Sequence, residues 1–99
     1  MTPAANAARG EVVRPIAGEP RRLCLTLGAL AELETALGCD GWEALSARLR
    51  GVGARELLLV LAALLRGGGE ADCAARLDAL PVTPAVAAQA VAAAFGACA

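Results

Sequence analysis

The run "LLLVLAALL", Leu57 to Leu65, constrains this chain most, because the stretch around it, Ala54 to Arg66, is apolar on every side of a helix. A helix without a polar face has to be surrounded, either by its own domain or by another chain. It is far too short to span a bilayer. With 99 residues in all, the protein has room for about one hydrophobic core, so this segment is expected to be the helix that the rest packs around.

What can pack around it follows from composition. Hydrophobic residues make up 58% of the chain but aromatics only 2%, from Trp42 and Phe95. The core must be Leu and Val against Ala-lined faces, which suits close helix packing better than a sandwich rich in aromatic and β-branched residues. Ala is also the best helix former. A mostly α fold is expected, with an N-terminal β-hairpin followed by about five short helices packed as a compact bundle.

The opening residues 1–9, with Pro3, Asn6 and four Ala, lack periodicity and are expected to be a disordered terminus. Residues 10–98 are expected to form a single domain. The runs "EVVRPI" and "RRLCLT" flank "AGEP", which predicts a hairpin whose loop is longer than two residues. Pro15 cannot donate to a ladder, so its strand should be an edge or carry a bulge. Alternation places Leu23 and Leu25 on one face and Cys24 on the other.

At Thr26 the apolar period changes from 2 to 3.6, and Thr is a favoured N-cap. Leu27, Leu30, Leu33 and Leu37 then define one broad helix face, and Gly38 supplies the stop. Glu34 lies at the edge of that stripe. Such a carboxylate ordinarily pairs with an Arg, and its alternative is a partner contact. "DGWEALSARLR" predicts a second short helix capped by Asp40, with Trp42, Leu45 and Leu49 on one face. After the apolar helix, "GGG" at Gly67 to Gly69 reads as a helix end and turn. "EADCAARLDAL" carries Cys73, Leu77 and Leu80 at helical spacing until Pro81. The last helix has Thr83 as N-cap and Pro84 at the first helical position, where a missing N–H is harmless. Its larger side chains, Val86, Val91 and Phe95, are separated by Ala, giving a thin face that can approach another helix closely.

Chemistry of other kinds finds little support. The chain has no His, no Lys and no Tyr, so the common acid–base and Schiff-base players are missing, and no enzyme activity is expected. No cofactor is expected either: "RGGGE" follows a helix and lacks the Lys-Ser/Thr of a phosphate loop. The four cysteines match no familiar zinc spacing, form no C-x-x-C pair, and read as reduced thiols of a cytoplasmic protein without a signal peptide. A formal net charge of -1 argues against nucleic-acid binding. The uncharged stretch Ala79 to Ala99 has the nominal length of a membrane span, yet Pro81, Pro84 and Gln89 interrupt it and no basic cluster flanks it. No membrane partner is expected.

Three blocks carry a resemblance: "LCLTLGALAELETALG" from Leu23 to Gly38, "ARELLLVLAALLRGGGE" from Ala54 to Glu70, and "AAAFG" from Ala92 to Gly96. In that order, with a "GEV" start at Gly10 to Val12 and a glycine turn at Gly18, they resemble the small tail-assembly family of gene transfer agents, the phage-like particles of alphaproteobacteria. The resemblance implies a tail-assembly chaperone that coats the helical tape-measure protein and is shed as tail tube subunits polymerise around it. Its implied partners are the tape-measure protein and the tail tube subunit, and homo-oligomerisation is compatible with it. The alternative is a structural tail tube component retained in the particle. A small DNA-binding regulator is a further alternative. Val86, Val91, Phe95 and Glu34 are the candidate partner-binding residues.

Overall fold

The computed structural model describes residues 10–98, so the expected disordered terminus lies outside the described residues. Two strands, β1 (Glu11–Ile16) and β2 (Glu19–Cys24), pair antiparallel and are followed by five α-helices. These are α1 (Leu27–Leu37), α2 (Gly41–Arg48), α3 (Ala54–Gly67), α4 (Ala71–Ala75) and α5 (Pro84–Cys98), with single 3₁₀ turns at Leu49–Gly51 and Leu77–Ala79. This is the hairpin and helical bundle that the composition predicts.

The hairpin loop is shorter than expected. Glu19 and Pro20 belong to β2, and the turn is only Ala17 and Gly18, with φ of 54° and 83°. Positive φ at both central positions is what a two-residue type I′ turn requires, because its twist matches that of the flanking strands. Pro15 sits directly opposite Pro20 in an unbroken register, so there is no bulge. Counting from the turn, the two prolines form a pair whose N–H positions point away from the partner strand, where neither missing donor breaks the ladder. Arg22 has the same parity, and its N–H does point outward, to Glu70.

Thr26 caps α1 as predicted, its hydroxyl accepting from the Ala29 N–H at 3.1 Å, and Gly38 ends the helix at φ 66°. Leu33 and Ala29 are buried and Leu30 and Leu37 half-buried, but Leu27 is 83% exposed. At 3.6 residues per turn Leu27 lies about 120° around the helix from Leu33, outside the buried arc. Asp40 occupies the N-cap position of α2 without making the cap bond. Glu34 does so instead: its Oε2 accepts from the Gly41 N–H at 2.6 Å. The expected Arg partner of Glu34 is therefore replaced by a backbone donor.

Helix α3 is the axis of the bundle, packed by α1, α4, α5 and β2. Val60, Leu61, Ala63, Leu64 and Leu65 are buried, while Leu58 and Leu59 remain uncovered at 37% and 42% exposure. The domain thus surrounds most of this helix and leaves one strip bare. Ion pairs Glu32–Arg66 and Arg48–Glu56 tie it to α1 and α2.

The end of α3 explains "RGGGE". A Cβ on Gly67 would lie 2.1 Å from the Cys24 carbonyl oxygen, and one on Gly68 would lie 2.2 Å from that of Arg22. Only glycine lets the helix end meet the strand backbone this closely. Glu70 then fastens the contact, accepting from the Arg22 N–H at 3.0 Å and from Arg21 Nη1 at 3.3 Å. Cys24, which alternation puts on the face opposite Leu23, is buried as well because α3 presses on the end of β2; Leu25 already lies beyond the strand.

The segment after Glu70 breaks at Arg76 and resumes as a 3₁₀ turn, so Cys73 and Leu77 are buried from two short pieces, not from one helix. Thr83 caps α5, accepting from the Val86 N–H at 3.2 Å. Ala87, Ala90, Val91 and Ala94 form its buried face, against α3 and β1. Among the described residues, no helix is long and apolar enough to cross a membrane.

Candidate protein-contact trough

The flank of α5 beside its buried stripe carries Ala88, Ala92 and Gly96, each exposed and each four residues from the next. Side chains this short leave space beside the helix. Across that space stand Trp42 of α2, Leu49 of the following 3₁₀ turn and Leu57 of α3, and together these residues line an open groove of about 580 Å³. Its walls are apolar apart from Ser46 and Arg50.

Trp42 and Phe95, the only aromatic residues in the chain, stack across this groove with ring centroids 5.3 Å apart and planes inclined by 24°. Such a pair contributes about 0.5–1.5 kcal/mol beyond its area. Trp42 nevertheless stays 39% exposed, presenting a large apolar surface to solvent. A second, smaller groove of about 250 Å³ adjoins the first: Leu57 and Pro84 line both, and exposed Leu58 continues the surface. The two form one apolar trough.

Of the residues expected to meet a partner, Val91 and Phe95 line this trough. Val86 does not; it is half-buried against the core. Glu34 is not part of the lining either, its carboxylate being taken by the N-terminus of α2. Trp42, Leu49 and Leu57 were missed because the sequence reads them as ordinary core positions. The one available signal was that a chain with two aromatics carries both on helices.

The remaining candidate groups have structural surroundings. Cys24, Cys39 and Cys73 are not joined in disulfides among the described residues, and burial pushes the Cys73 thiol upward from its ordinary range, partly offset by the Arg21 guanidinium. Among the described residues, no group of three or more His, Cys, Asp or Glu side chains is placed to hold a metal ion. The trough offers shape and apolar area, the materials of protein recognition.

The sequence model of a family described as "Phage tail tube protein, GTA-gp10" matches residues 9–98. The chain belongs to this family. No curated protein and no solved structure matches it. Membership in the GTA-gp10 family places the protein among phage tail proteins, as the three sequence blocks imply. The family's description names a tail tube protein, which agrees better with the structural alternative than with the chaperone expected first.

Proposed function

We propose that this protein is a component of phage-like tails that acts by holding other tail proteins, with the trough beside α5 as its contact surface. Family membership over residues 9–98 carries this reading, and the description of the family as a tail tube protein favours a subunit retained in the tail. Its assembly partners are then other tail subunits, and assembly takes place in the cytoplasm of the producing cell. The hairpin supports contact through helices: on the outer edge of β1, Pro15 offers no donor and the Val13 carbonyl already accepts from Arg14 at 2.8 Å, so strand addition is hindered. No catalytic role is proposed.

One observation favours a second reading. Among the described residues the only sheet is a two-stranded hairpin, whereas a ring-forming tube subunit resembles a β-sandwich or barrel with many strands. A helical protein with a shallow apolar trough suits reversible helix-in-groove contacts, as in a chaperone that coats the tape-measure protein and then leaves. Quantitative mass spectrometry of purified particles separates the two. Peptides of this chain in fixed ratio to the major tail proteins support the retained subunit; their absence from particles whose assembly requires the gene supports the chaperone.

A further inference from the structure

Two charged side chains on the trough narrow what can fill it. Arg50 lines the larger groove and Asp78 the smaller, on either side of the shared seam of Leu57 and Pro84. Neither forms an ion pair among the described residues, although Arg21, Arg48 and Arg66 all do. The trough is therefore positive on one side of its seam and negative on the other. An occupant lying across the seam gains from the opposite arrangement, with an acid over Arg50 and a base over Asp78.

The α5 wall specifies the form of that occupant. Ala88, Ala92 and Gly96 make a ridge at spacing of four, and a Cβ on Gly96 would meet nothing within 4 Å, so the ridge is open to close approach. Ridges of that spacing dock into the matching grooves of a second helix. An extended strand would bring backbone donors and acceptors against helical walls whose own backbone groups are already paired. A second copy of this chain is a poor match through its longest helix, because α5, "PAVAAQAVAAAFGAC", carries no charge to set against Arg50 or Asp78.

We infer that the trough receives an amphipathic α-helix of a different tail protein, its apolar stripe over the Ala88–Ala92–Gly96 ridge, with a carboxylate facing Arg50 and a basic side chain facing Asp78. The class of partner rests on the tail reading above; the helical form and the charge order rest on the trough alone.

A photo-crosslinking amino acid at Ala92 of the full chain, in particle-producing cells, tests this directly. Mapped by mass spectrometry, the crosslinks are expected in another tail protein, at residues recurring every three to four positions beside an acidic residue. Arg50→Glu should lower the crosslink yield about fivefold, the scale of one exposed ion pair. An acid-to-Arg change in the mapped segment should restore it. Circular dichroism of Arg50→Glu should match the parent, since this side chain is exposed. Crosslinks into a second copy, crosslinks at every second residue, a yield indifferent to Arg50→Glu, or no crosslink while tails assemble would each overturn the inference. Normal tails in cells lacking the chain would overturn the tail reading instead, whatever the trough binds.

Discussion

Glu70 is the residue on which the hairpin's attachment turns. Its carboxylate takes the Arg22 N–H and the Arg21 guanidinium while its own side chain is only 15% exposed. Glu70→Ala leaves that N–H without a partner and should destabilise the protein by about 1.5–3 kcal/mol in urea unfolding, the range for bonds to a charged group. Gly67→Ala and Gly68→Ala act at the same seam by collision with backbone, which cannot rotate away as a side chain can. Each should cost about 3 kcal/mol, read in the same assay. Cys73 gives the pH dependence. With its thiol pushed upward by burial, the folded protein holds that proton more tightly than the unfolded chain does. The stabilisation is complete below about pH 8.5 and is lost as pH rises through the raised value, so urea midpoints should fall on the alkaline side. Legibility at this scale follows sequence distance. Thr26 and Thr83 could be read as caps because a cap and its acceptor lie three residues apart. Glu70 could not, since its donor is 48 residues away.

Among the elements, the hairpin and α5 carry the clearest consequences. Ala17 holds φ 54° in the turn, a conformation that Asn adopts more readily. Ala17→Asn should therefore raise stability by about 0.5–1 kcal/mol, observed as a higher urea midpoint with unchanged slope. Thr83→Ala removes the cap of α5 and should cost about 1 kcal/mol. For a domain of this size that corresponds to a Tm lower by about 4–8 °C in a calorimetric scan. Periodicity made most elements visible, because a helix in a small bundle repeats its buried stripe every three to four residues. It failed where contacts from outside the element decided the outcome. The turn was read too long because "AGEP" holds a Pro that looks like loop, and only the pairing of Pro15 with Pro20 shows both prolines harmless in the ladder. The helix expected through Leu80 was broken at Arg76, yet Cys73 and Leu77 reached the core all the same.

For the molecule as a whole, the sequence carried the architecture and singled out two of the residues that line the trough, Val91 and Phe95. A helix apolar all round had to be the axis, and α3 is. Val91 and Phe95 could be picked out as the bulky residues of an Ala-rich helix, but the opposite wall could not, since Trp42 and Leu49 meet Phe95 only through the tertiary packing of α2. The small residues of α5 serve two neighbours at once: Ala87, Ala90 and Ala94 face α3 and β1, and Ala88, Ala92 and Gly96 face the trough. This division lets a helix with little side-chain mass line the core and the trough together. The central claim, that a member of the GTA-gp10 family with this fold takes part in building a phage-like tail, is tested most directly by deleting its gene in frame and imaging the particles by electron microscopy. The account predicts heads without normal tails, restored by the wild-type chain. Tails of normal length and number in the deletion strain would contradict it.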